Sequence, residues 1–198
     1  MRYVALGDSY TIGTGIEPAG SWPSQLAARL ADAEVELAGN LGVNGYTSGD
    51  LISREMPQLP RLRPDLVSVL IGVNDVVQMQ AEESYGANVS QILDAVLELV
   101  PAQRVFGVAT PDYTITPQGT AYGEPELQRA GIIRNNLILG AACDARGIAF
   151  VPDVFEISRA AGDAPGMLVG DGLHPSAAQY ALWVDAIEPV VRNLLGQA

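Results

Sequence analysis

The chain has 198 residues and carries 23 acidic against 11 basic side chains, a formal charge of −12. Every basic residue is arginine, so no lysine exists for a Walker phosphate loop, a pyridoxal Schiff base or a Ser–Lys dyad. One histidine, His174, and one cysteine, Cys143, cannot make a four-ligand structural zinc site or an internal disulfide, and the acidic balance argues against nucleic acid and anionic membrane as partners. These counts leave an all-oxygen magnesium or calcium site open.

A length near 200 residues with 48% apolar content fits one globular domain over 1–198. No apolar run approaches the roughly 18 residues of a membrane-spanning helix. No signal-peptide pattern opens the chain, so a cytoplasmic location is the default expectation; a trimmed secreted protein would read the same.

Short apolar runs alternate with longer amphipathic ones. A strand is predicted over 3–6, then a helix from near Ser21 with Pro23 in its first turn, continuing through Leu26, Ala27 and Leu30. A strand over 35–38 and a helix over 48–59 follow. The strand over 66–71 is apolar nearly throughout, as when both sheet faces are covered. Next come a helix over 84–99 and a strand over 105–109. Residues 110–125, with Pro111, Pro117, Gly119, Gly123 and Pro125, read as an irregular loop. That loop contacts substrate or is a plain surface excursion. A helix over 126–146 capped by Gly147, a strand over 148–151 and a helix over 177–195 complete the chain. Five strands separated by helices predict a parallel sheet with right-handed crossovers, an α/β fold.

Four segments carry chemistry-bearing residues, three of them directly after predicted strands: Gly7-Asp8-Ser9-Tyr10, Asn40-Leu41-Gly42-Val43-Asn44-Gly45, Gly72-Val73-Asn74-Asp75 and Asp171-Gly172-Leu173-His174-Pro175. Singly each has a plain reading: a turn, a glycine-rich loop, a helix cap, a surface histidine. Together they supply what acyl transfer on a serine requires. Ser9 offers the hydroxyl. Asp171 and His174 are spaced for the carboxylate to orient the imidazole. Ser9 N–H, Gly45 N–H and the Asn74 amide are donors for an oxyanion. Asp153 and Asp163 are rival orienters without tight spacing to the only histidine.

These four blocks, in this order, resemble the SGNH branch of the GDSL esterase/lipase family, with Ser9, Gly45, Asn74 and the Asp171/His174 pair at the motif positions. Tyr10 departs from the leucine of the name-giving block, and Gly42 competes with Gly45; the family's spacing from Asn40 favours Gly45. The resemblance implies a three-layer α/β/α fold with a five-stranded flavodoxin-like sheet of order 2-1-3-4-5. It also implies hydrolysis of small-molecule carboxylic esters through an acyl-enzyme, without metal or organic cofactor. Lysophospholipase, thioesterase, carbohydrate O-deacetylase and acyltransferase activities share such a site. The alternatives of other kinds are a flavodoxin-like ligand-binding module and a catalytically silent scaffold. The first lacks a Gly-x-Gly-x-x-Gly fingerprint after the first strand, and the second predicts a missing catalytic group. Trp22, Met79, Tyr113, Tyr122, Met167 and Leu168 are candidates to line the substrate pocket; Met167, Leu168 and Tyr113 are carried forward. Cys143 reads as an inert buried thiol.

Overall fold

A computed structural model describes residues 1–162 and 164–196. Its strands are β1 (Arg2–Gly7), β2 (Glu36–Asn40), β3 (Leu66–Leu70), β4 (Val105–Val108) and β5 (Ala149–Val151), and they form one sheet of order β2-β1-β3-β4-β5. All four pairings are parallel. The helices are α1 (Ser9–Ile12), α2 (Trp22–Arg29), α3 (Ser48–Asp50), α4 (Leu59–Leu62), α5 (Val73–Val77), α6 (Glu82–Leu97), α7 (Pro125–Asp144), α8 (Val154–Ala161) and α9 (Ala177–Leu194). Among the described residues, no helix is long and apolar enough to cross a membrane.

The period-2 alternation of the strands splits the core in two. Tyr3 and Ala5 of β1 face one side with Trp22, Leu26, Tyr180, Trp183, Ile187 and Val191, which belong to α2 and α9. Val4 and Leu6 face the other with Leu51, Tyr85, Val89, Leu93 and Leu139, which α6, α7 and the segment after α3 supply. Both faces of the sheet are therefore covered, which accounts for the unbroken burial of β3. Cys143 is buried where α7 meets β4, and burial pushes its thiol up to about 12.

The structure departs from the sequence reading in three places. The helix predicted over 48–59 is broken into α3, a π-helical turn Leu51–Glu55 and, beyond Pro57, the short α4. Residues 110–125 include two 3₁₀ turns, Tyr113–Ile115 and Gly119–Tyr122. Besides the single turn α1, two short helices, α5 and α8, lie outside the predicted elements. Asn74 and Asp75 lie inside α5, behind a Gly72 cap.

Parallel strands end at one edge, and β1 and β3 are closest there. Gly7 pairs with Leu70 at φ +154°, where an added Cβ would stand 2.2 Å from Thr11 Oγ1 and 2.3 Å from the Leu70 carbonyl oxygen. We therefore expect Gly7→Ala to cost about 2–4 kcal/mol from backbone strain and overpacking. The urea midpoint measures this. An unchanged midpoint would mean that β1 and β3 separate freely at this point.

Candidate active site

The ends of β1, β2 and β3 and the turn before α9 converge on a cleft of about 250 Å³. Ser9, Gly45, Asn74 and His174 all line it. Ser9 is the first residue of α1, a single turn opened by Asp8, whose Oδ1 accepts the Tyr10 N–H at 3.0 Å. The Ser9 N–H therefore stands at a helix start, where no intrahelical acceptor is available to it. Ser9 Oγ and His174 share the cleft without a direct hydrogen bond among the described residues. Catalytic contacts of this type are often long in the ligand-free state.

The segment after β2 is pinned to α1 and α5. Asn40 Nδ2 donates to the Thr11 carbonyl at 2.7 Å, and its Oδ1 accepts the Gly42 N–H at 3.2 Å. A Cβ on Gly42 would lie 2.8 Å from both the Asp8 carbonyl oxygen and the Ile12 nitrogen, so its smallness serves packing. Gly45 takes φ +83° and lines the cleft, and among the described residues its N–H meets no protein acceptor. The choice between these glycines thus has a geometric basis: Gly42 spends its N–H on Asn40.

Asn74 donates one amide hydrogen to the Tyr46 carbonyl at 2.9 Å, which leaves the other for a ligand. Gly72 before it takes φ +130°, and a Cβ there would meet the Tyr85 hydroxyl at 2.6 Å. Tyr85 OH donates to the Ile71 carbonyl and Asn135 Nδ2 to the Gly72 carbonyl, both at 2.9 Å. Asp75 is buried, which raises its carboxyl, while the Ser48 hydroxyl and N–H it accepts work against that rise.

The fourth block folds back on itself. Leu168 bridges Pro175, and the Val169 N–H donates to the His174 carbonyl at 2.9 Å. Asp171 Oδ1 accepts the N–H groups of Leu173 and His174, and its Oδ2 lies 2.7 Å from His174 Nδ1. Burial works to raise the Asp171 carboxyl, but these three donors outweigh it and hold it below the ordinary carboxylate value. An ionised carboxylate only accepts, so Nδ1 carries the proton and Nε2 of the neutral ring is the acceptor left over. Tyr10, where the motif has leucine, packs its ring 5.4 Å from the imidazole and 6.3 Å from the Trp183 ring.

Of the pocket candidates, Tyr113 and Tyr122 line the cleft, ring against ring at 5.6 Å, with Val73, Val77 and Leu173. The rest lie elsewhere. Met167 lines a groove with Ile157 and Leu182 of α8 and α9, because its carbonyl is tied to Ser176 N–H and Gln179 Nε2. Leu168 faces a small cavity with Pro111, Asp112 and Ser158. Trp22 is in the core, and Met79 is exposed at φ +54°. Asp153 precedes α8, and Asp163 lies outside the described residues. Sequence reasoning missed Asn44, which also lines the cleft, and Asn135 and Glu55, which brace its floor. Only a fold could place the last two.

The sequence pattern of the GDSL-like Lipase/Acylhydrolase family matches residues 5–182. Esterase TesA from Pseudomonas aeruginosa is 24% identical over 196 residues, covering 97% of this chain and 88% of that protein. The crystal structure of TesA superposes with a TM-score of 0.75 at 23% identity, over 98% of this chain and 99% of that one. A variant of an acetyl xylan esterase from Geobacillus stearothermophilus gives 0.74 at 19% identity, over 96% and 94% of the two chains. A lipase/acylhydrolase from Enterococcus faecalis gives 0.72 at 20%, over 99% and 96%. Those superpositions speak for the three-layer fold. With the family pattern running from β1 into α9 across all four blocks, the chain belongs to the GDSL-like lipase/acylhydrolase family and is a carboxylic ester hydrolase.

Proposed function

We propose that the chain hydrolyses uncharged carboxylic esters of short acyl chain through an acyl-enzyme on Ser9. The observation that carries this reading is the 2.7 Å His174–Asp171 pair on the rim of the cleft that holds Ser9. Ser9 Oγ attacks the ester carbonyl carbon as His174 Nε2 takes its proton. The oxyanion that forms is held by the Ser9 and Gly45 N–H groups and the free Asn74 amide hydrogen. Asp171 keeps the imidazole in the required tautomer and stabilises the imidazolium without taking the proton. Collapse of the intermediate expels the alcohol, which leaves with the proton from His174. Water then attacks the acyl-enzyme, giving its proton to the same ring, and the ring returns that proton to Ser9 Oγ as the acid departs.

The short-chain preference rests on the walls. The cleft of about 250 Å³ is small, and Val73, Val77, Leu173, Tyr113 and Tyr122 give it apolar walls beside the polar groups of Ser9, Asn44, Asn74 and His174. Ligand pockets for drug-sized molecules run to roughly 300–1,000 Å³. The same volume also suits an acetyl group on a sugar, so an O-deacetylase reading keeps every residue and changes only the alcohol.

The test is turnover of p-nitrophenyl acetate, butyrate and octanoate beside an acetylated xylo-oligosaccharide. Ser9→Ala and His174→Ala should each lose at least about 10⁴-fold in kcat, and Asn74→Ala about 10²–10³-fold. No burst and no hydrolysis across the chain lengths would sink the proposal, and strong preference for the sugar ester would select the second reading. If Tyr122 limits acyl length, Tyr122→Ala should raise kcat/KM for octanoate relative to butyrate by about an order of magnitude. An unchanged ratio would remove Tyr122 from the acyl wall.

A further inference from the structure

Beneath the Gly7–Ser9 turn lies a carboxyl that ester hydrolysis does not use. Glu55 ends the π-helical turn Leu51–Glu55 and is fully buried. Its Oε2 accepts the Gly7 N–H at 3.0 Å. Its Oε1, Asp8 Oδ2 and Thr11 Oγ1 are buried without a hydrogen-bond partner among the described residues. Those three oxygens belong to one turn and to the acid that grips it. The i→i+5 bond from the Met56 N–H to the Leu51 carbonyl widens the helix here. Such turns are rare and recur at functional sites.

The surroundings argue that this acid works uncharged. The titratable group that faces it is Asp8 on the turn after β1, and Asp75 of α5 and Tyr85 of α6 stand in turn near Asp8. Arg54, on its own turn, is exposed and offsets Asp50 of α3. Glu55 thus faces another acid, and Asp8 opposes its charge. Burial, with Asp8 adding to it, pushes Glu55 up to about 9, and burial pushes Asp8 to about 7. The pair accepts two backbone N–H groups, from Gly7 and Tyr10, enough support for one charge and too little for two. A neutral Glu55 also brings a proton to oxygens otherwise short of donors.

We infer that Glu55 is a positioning residue that holds the Ser9 turn as a neutral acid through Gly7, and that its ionisation sets the alkaline limit of activity. The inference rests on Ser9 being the nucleophile. Ionised, Glu55 would stand as a second anion under the turn whose N–H receives the oxyanion, opposing the charge that develops there.

Glu55→Gln keeps a carbonyl acceptor for Gly7 and cannot ionise; Glu55→Leu removes the acceptor. Each is compared with the wild type by kcat and KM on p-nitrophenyl butyrate, by fluorophosphonate labelling of Ser9, and by Tm, across the pH range. Wild-type kcat should fall as pH passes about 9, whereas Glu55→Gln should hold its plateau. At neutral pH Glu55→Leu should lose about tenfold in kcat with KM little changed, and Glu55→Gln should restore it to within about twofold. Tm supplies a readout apart from activity. A carboxyl raised above its unfolded value adds stability in acid that is lost as pH climbs toward its folded value, so wild-type Tm should decline between about pH 5 and 9 and the Gln variant more gently. An alkaline limb and a Tm slope in Glu55→Gln identical to wild type would overturn the inference, whether or not Glu55→Leu folds. Absence of Ser9 labelling in the wild type would instead strike the nucleophile assignment, and the Tm comparison would still judge whether Glu55 is held neutral.

Discussion

At Gly7 the ends of β1 and β3 come so close that the Leu70 carbonyl oxygen lies 2.3 Å from where a side-chain carbon would stand. Three further contacts depend on that closeness. The Gly7 carbonyl accepts the Val43 N–H, which fixes the segment carrying Gly45. The Gly7 N–H donates to Glu55, and the chain then turns sharply enough for Asp8 to cap α1. Ser9 is therefore placed by backbone atoms of three strand ends, with little left to its own side chain. Gly72 repeats the arrangement at β3, where Tyr85 occupies the space a side chain would need and Asn135 secures the carbonyl. Three N–H donors, from Ser9, Gly45 and Asn74, and the Ser9 hydroxyl come to a single cleft because the sheet brings β1, β2 and β3 side by side.

The acids of this chain divide by environment. Asp171 is half exposed and accepts three hydrogen bonds, so it stays ionised and orients the imidazole. Asp8 and Glu55 are buried with one backbone donor each, and burial wins. The net charge of −12 conceals this division: it counts as anions two groups that the interior keeps partly or wholly protonated. The linkage runs in opposite senses. Asp171 adds stability above its unfolded value that acid removes, while Asp8 and Glu55 add stability in acid that base removes. These three groups together favour mildly acid conditions, just above the range where Asp171 protonates, and stability declines from there as pH climbs toward the raised values of Asp8 and Glu55.

What the sequence disclosed was the part governed by local pattern. The strands and the four blocks follow from apolar patterning, from glycines at strand ends and from the Asp171–His174 spacing, whereas the sheet order follows only from the family resemblance. Three kinds of feature stayed hidden. The helix over 48–59 looked continuous because a π turn leaves the apolar spacing of Leu51, Ile52 and Met56 almost intact; the insertion shows only in where Glu55 points. The bracing by Asn135 is 63 residues from its acceptor Gly72, and no window of sequence contains both. Met167 and Leu168 were read as pocket residues from proximity to Asp171. The chain between them doubles back through the Leu168–Pro175 bridge, so nearness in sequence became separation in space.

The same distinction separates the chemistry from its selectivity. Ser9, Gly45 and Asn74 follow the ends of β1, β2 and β3, whose positions the hydrogen-bonded sheet dictates. The wall opposite them belongs to residues 110–125, and nothing in the sheet dictates that segment. It is held by its own network: Asp112 accepts the Thr114 N–H and hydroxyl and Arg129 Nε, Asn136 bonds both the N–H and carbonyl of Thr110, and Gln128 accepts the Tyr113 hydroxyl. Three of these anchors are side chains of α7, while the Gln118 N–H ties the segment to the Gly172 carbonyl of the turn that carries Asp171 and His174. Substitution there reshapes what fits against Ser9 while leaving the strand ends undisturbed. Tyr113 and Tyr122 bring the rings of that segment to the cleft, so a change in α7 or in residues 110–125 reaches the space in front of Ser9 without passing through the sheet.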